Sequence, residues 1–166
     1  MTTVVVDACF LITLEETGNL YLLKKAKREL GWRIVIPDAV YEESTRKEAA
    51  QVEALLGDSI LEQVDPIEET IDSLSRRYPM LGRGEIEAMA FVLTEGREEY
   101  VIISDDQRAT KAIHAQGLAH LSTLSFLSKM CHLSMITREE LLRSVPQLKK
   151  SMWISQGAID LFVVSL

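Results

Sequence analysis

The sequence predicts an α/β fold in which a parallel sheet is wrapped by helices on both sides, and three observations lead there. Short β-branched runs at residues 2–6, 33–36 and 100–104 alternate with stretches of helical period, the pattern of successive βαβ units. The runs are apolar throughout, as befits strands buried on both faces. Carboxylates stand at the ends of these runs or at helix starts, at Asp7, Glu43, Glu85, Asp105 and Asp106. In open α/β sheets, sites form just beyond the carboxyl ends of the strands.

Thr2 to Val6 is the first strand, and Ala8-Cys9-Phe10-Leu11-Ile12 is too apolar for a surface loop, so it reads as a helix packed on the sheet. Leu22, Leu23, Ala26 and Leu30 recur at helical spacing with lysines between, and Gly31 ends that helix. Arg33 to Ile36 is the second strand. Pro37 suits the first turn of a helix in which Val40 and Glu43 share a face, which turns Glu43 toward the packed side. Thr45 with Glu48, and Thr137 with Glu140, have capping-box spacing and mark helix starts.

Asp65-Pro66 opens a helix carrying Ile67, Ile71 and Leu74 that runs to Arg77. Gly82-Arg83-Gly84 breaks the pattern, and Glu85 then opens a helix that is nearly all apolar through Leu93, hence central. Tyr100 to Ser104 is the third strand, Arg108 to Gln116 a helix closed by Gly117, and Ala119 to Leu121 a short edge strand. Beyond Ser134, helices at 138–145, 147–152 and 155–164 form an extension, with Trp153, Phe162 and Val163 available to pack on the body or on another subunit.

With 166 residues the chain is the size of one domain. We expect residues 1–132 to form the α/β body and 133–166 a helical extension packed on it. No apolar run approaches the about 20 residues a bilayer span needs. Met1-Thr2-Thr3 lacks the basic start of a signal peptide, so the expected location is cytoplasmic. Cys9 and Cys131 belong to no CxxC or Cys/His cluster and read as buried thiols, while His114, His120 and His132 lack ligand spacing. The net charge of −7 argues against a protein that coats nucleic acid through a broad basic face.

Each acid alone has an ordinary role. Asp7 and Asp106 could cap the helices that follow their strands, Glu85 could complement its helix dipole, and Glu43 could be an exposed helix acid. As a set aimed at one edge they repel one another by roughly 4 kcal/mol per close pair at an effective dielectric of about 20, so the set needs cations. A divalent-metal site follows.

Four segments carry a family likeness: Val-Val-Val-Asp-Ala-Cys-Phe-Leu-Ile at 4–12, Ile-Pro-Asp-Ala-Val-Tyr-Glu-Glu at 36–43, Gly-Arg-Gly-Glu-Ile-Glu-Ala-Met-Ala at 82–90, and Ile-Ile-Ser-Asp-Asp-Gln-Arg-Ala at 102–109. In order and spacing they resemble the PIN domain, over about residues 1–130, with a tail similar to that of a prokaryotic PIN subfamily whose members are mostly uncharacterised. The resemblance implies a three-layer α/β/α PIN-like fold and makes Asp7, Glu43, Glu85 and Asp106 the catalytic acids. Glu42 is an alternative to Glu43, and Asp105 is either an extra metal ligand or a solvent-facing acid. The third position often carries Asp in PIN toxins, and Glu85 is longer by one methylene.

The implied activity is hydrolysis of RNA phosphodiester bonds, endo- or exonucleolytic, with one or two Mg²⁺ or Mn²⁺ ions. An oxygen-only donor set suits those hard cations. Ser104 would support the ligands, and Arg83, Arg108 and Lys111 stand close enough in sequence to contact phosphate. An antitoxin protein and a homodimer or higher homo-oligomer are the implied partners. Of the rivals, a haloacid-type phosphatase needs a second Asp where Cys9 stands, and a receiver domain needs its acid pair after the first strand. A catalytically inactive PIN-fold scaffold for a binding partner is the stronger alternative.

Overall fold

The computed structural model describes residues 1–96, 99–152 and 154–166, and for residues 45–50 the backbone alone. Its centre is a five-stranded, wholly parallel sheet of β1 (Thr3–Val6), β2 (Arg33–Pro37), β3 (Glu62–Val64), β4 (Tyr100–Ile103) and β5 (His120–Leu121), in the order β3-β2-β1-β4-β5. The helices are α1 (Ala8–Glu16), α2 (Tyr21–Leu30), α3 (Asp38–Gly57), α4 (Glu68–Arg77), α5 (Arg83–Glu95), α6 (Gln107–Ala115), α7 (Thr123–His132), α8 (Arg138–Met152) and α9 (Gln156–Ser165). This is the three-layer α/β/α architecture that the alternating pattern predicts.

Alternation along the buried strands divides the interior into two cores. Val4, Val6, Ile34, Ile36 and Ile103 face one side, where they meet Phe10 and Leu14 of α1, Leu22 and Leu23 of α2, and Phe126 of α7. Val5, Val35 and Ile102 face the other, against Ile71 and Leu74 of α4, Ile86 and Met89 of α5, and Ile113 of α6. The Phe10 and Phe126 rings meet edge to face at 5.0 Å. Leu141 and Leu148 of α8 and Phe162 of α9 complete the first core.

β1 is central, with Val4 opposite Ile34 on one side and Val5 and Val6 opposite Ile102 and Ile103 on the other. The chain leaves β1 toward β2 and later returns to β4 on its far side. The carboxyl ends of β1 and β4 therefore lie side by side where the winding reverses, the place where open α/β sheets bind ligands.

Several local expectations are corrected. No helix starts at Thr45, because the α3 backbone runs unbroken from Asp38 to Gly57 and Pro37 ends β2 instead of lying in the helix. α4 begins at Glu68, with the extended Ile67 rather than Asp65 at its cap, and Ile67 is exposed. α8 is one helix through Pro146, although proline removes the bond to the carbonyl four residues back. Leu141 and Leu148, both fully buried, hold its two halves to the same core. β3 and α7 are additions to the sequence reading. β3 is a polar edge strand without an apolar run, while α7 is capped by the Ser122 hydroxyl on the Ser125 N–H at 3.1 Å. Trp153 lies outside the described residues.

Candidate metal and active site

Asp7 follows β1 directly and caps α1, its Oδ1 accepting the Phe10 N–H at 2.7 Å. It is only 9% exposed. Burial pushes its carboxyl up to about 7, against the opposing hydrogen bonds from the Phe10 amide and the Ser104 side chain, with the Asp105 and Glu85 charges adding to the rise. A carboxylate kept so far from water and so close to other acids is held in the ionised form only at a cost.

Ser104, buried just past β4, connects the acids. Its Oγ accepts the Asp106 N–H at 3.3 Å, and the same side chain favours the ionised Asp7 carboxyl. Asp106 caps α6, with Oδ1 accepting from Arg108 N–H at 2.7 Å and Ala109 N–H at 2.9 Å, while its Oδ2 lies 3.8 Å from the Arg108 guanidinium. Asp105 is not a solvent-facing residue: its Oδ1 accepts the Thr123 N–H at 2.8 Å and its Oδ2 the Thr123 hydroxyl.

Glu85 sits in the first turn of α5, where its Oε2 accepts the Gly82 N–H at 2.8 Å. Its carboxyl is raised by burial first, opposed by that amide and by Arg108, and raised further by the charges of Asp106 and Glu43. Glu43 and Val40 do share the face expected of them, and both line the cleft, but Glu43 is exposed. Glu42 does not line it.

The cleft holds about 250 Å³ between Asp7, Ala8 and Cys9 on one side, Val40 and Glu43 of α3 on another, and Gly82, Gly84 and Glu85 at the α5 start, with Arg108 over it. Cys9 is thus an exposed residue of the cleft wall, contrary to the buried thiol expected, and Cys131 is half-buried. α1 turns its second residue outward while Phe10 and Leu11 take the core. A larger groove of about 720 Å³ between α7 and α9 shares no residue with this cleft.

The three arginine and lysine expectations separate. Arg108 lines the cleft. Arg83 is committed elsewhere, pairing with Glu87 at 2.7 Å and with Glu68 at 3.1 Å. Lys111 is exposed on α6 and does not line the cleft. Glu87 is the functional candidate that the sequence reading overlooks, a buried acid in the helix taken as nearly all apolar. Its i, i+4 spacing from Arg83 is the signal that marks it.

In donor chemistry the residues fit a hard divalent cation: the Glu85 carboxylate lies within electrostatic reach of both Asp7 and Asp106, and burial raises Asp7 and Glu85. In spacing the set is open. Among the described residues no three His, Cys, Asp or Glu side chains are grouped closely enough to hold an ion as they stand. The amides of Phe10, Gly82 and Arg108 each occupy one oxygen of an acid.

Among the described residues no helix is long and apolar enough to cross a membrane. A search of curated proteins finds no match to the chain. A family model described as a PIN domain matches residues 3–165. With a parallel sheet wound in this order and acids gathered beyond β1 and β4, the chain belongs to the PIN domain family, whose members are generally nucleases.

Proposed function

We propose that the protein is a metal-dependent ribonuclease that hydrolyses RNA phosphodiester bonds using Mg²⁺ or Mn²⁺. The observation that carries this reading is Asp7, whose buried carboxyl is raised to about 7 beside other acids at the end of the central strand. The Phe10 amide and Ser104 only partly offset that burial, and a bound cation would stabilise the ionised form further.

Asp7 and Asp106 would be the primary holders, Ser104 keeping the two in register. Glu85 and Glu43 close the cleft from α5 and α3. A divalent ion held there supplies Lewis-acid polarisation of the phosphate and activation of the attacking water. Arg108, which lines the cleft, would supply a guanidinium for a phosphate oxygen. Breaking the bond to the 3′-oxygen leaves a 5′-phosphate and a 3′-hydroxyl. Asp105, held by Thr123, shapes the field at Asp7 and is the weakest ligand candidate.

The open spacing of the acids favours one second reading, a PIN-fold scaffold without catalysis. Cleavage of single-stranded and structured RNA with Mn²⁺, by the parent and by Asp7→Asn and Asp106→Asn, separates the two. The nuclease reading expects cleavage by the parent and loss in both variants. Equal cleavage by all three, or none by the parent, defeats it. A toxin role with an antitoxin partner, and self-association, extend the same reading, and co-expression with a small neighbouring gene product tests the former.

A further inference from the structure

Glu87 fastens the first turn of α3 to the first turn of α5. Its Oε2 accepts the Ala39 N–H at 2.8 Å, and its Oε1 pairs with Arg83 Nε at 2.7 Å. A buried carboxylate is tolerated when both oxygens are engaged in this way, and its charge lies at the positive end of α3. Just beside it the two helices are at contact, because a Cβ on Gly84 would stand 2.8 Å from Val40 Cγ2. Glu43, one turn farther along α3, and Glu85, in the first turn of α5, both line the cleft.

We propose that Glu87 is a positioning residue that sets the separation of Glu43 from Glu85, and so the affinity of the cleft for a divalent cation. The inference rests on the metal-dependent reading above. Glu87 touches no reacting group in this scheme and does not line the cleft; it acts through the placement of α3 on α5. Outer residues that orient ligands typically change metal affinity or activity by about 10- to 100-fold when altered.

The test is calorimetric titration of the full-length, metal-free protein with Mn²⁺, with folding checked by circular dichroism. Glu87→Gln keeps an acceptor for Ala39 and loses the pairing with Arg83. Gly84→Ala leaves Glu87 intact and presses α3 away from α5. Both should bind Mn²⁺ on the order of 10-fold more weakly than the parent, and cleavage by Glu87→Gln should recover as Mn²⁺ is raised. Glu68→Gln, which removes only the exposed partner of Arg83, should bind like the parent.

A lower melting temperature with unchanged Mn²⁺ affinity in Glu87→Gln would mean a merely structural role and overturns the proposal. Should Glu87→Gln fail to fold, Gly84→Ala decides, and parent-like affinity in it is equally fatal. A parent that binds no Mn²⁺ overturns the metal-dependent reading itself, and this inference with it.

Discussion

The Asp105 carboxylate receives two hydrogen bonds from Thr123, one from the backbone N–H at 2.8 Å and one from the hydroxyl. The end of β4 is thereby tied to the first residue of α7, across the side of the sheet that α1 shares. Thr123→Val keeps the shape and removes one donor to a charged acceptor. We expect a loss of about 1.5–3 kcal/mol, read from urea denaturation; an unchanged midpoint would show that the contact contributes nothing.

Asp7 predicts a pH dependence of known sign. Its carboxyl titrates at about 7 when folded and at 3.8 when unfolded, so between those values the folded chain holds the extra proton. Metal-free stability contributed by this group is intact below about 4 and is lost as pH rises through about 7, by an amount on the order of a few kcal/mol. Asp7→Asn should remove that slope, since Asn caps α1 about as well as Asp. Denaturation midpoints of parent and variant between pH 4 and pH 8 check it, and parallel curves refute it.

Mn²⁺ should raise the melting temperature of the parent, with about 2.7 kcal/mol of added stability at a hundredfold excess over the dissociation constant. Because Asp7 is partly protonated near neutrality, binding should release protons. Calorimetry at pH 7 in two buffers of different ionisation enthalpy measures that release. Identical heats in both buffers would contradict a role for Asp7 as ligand.

Phe126 tests the first core. Its ring meets Phe10 at 5.0 Å and Trp32 at 6.4 Å, and it is fully buried. Phe126→Ala should cost about 3–5 kcal/mol, enough to unfold a protein of ordinary stability. Thermal melting gives the answer directly.

Ending the chain after His132 tests whether 133–166 is an extension or a part of the core. Leu141, Leu148 and Phe162 belong to the same buried cluster as Val4 and Val6. We expect the shortened protein to be insoluble or unfolded. A soluble form with parent-like melting would establish 1–132 as an autonomous domain.

The strands β1, β2 and β4 were legible because each is a solid apolar run of a kind that only a sheet covered on both faces needs. β3 was not, since its Glu62-Gln63-Val64 lies at the exposed edge without an apolar run, paired with Val35 to Pro37 along the backbone and with Arg33 through the Glu62 carboxylate. Of the acids, sequence position was enough to bring Asp7, Glu43 and Glu85 to the lining of one cleft. It did not reveal that Glu43 would be exposed, because the shared face with Val40 is the face that borders the opening. Arg83 shows the same limit: nearness in sequence to Glu85 says nothing of the pull from Glu87 and Glu68.

The pairing of β1 with β4 has a temporal consequence. Val5 and Val6 find Ile102 and Ile103 only after roughly 100 further residues have been made, so the acid-bearing edge cannot exist in a nascent chain that stops short of β4. On the nuclease reading proposed above, the site stays incomplete throughout most of the chain's own synthesis. Its contacts of long sequence separation should also make refolding slow compared with a helical protein of the same size.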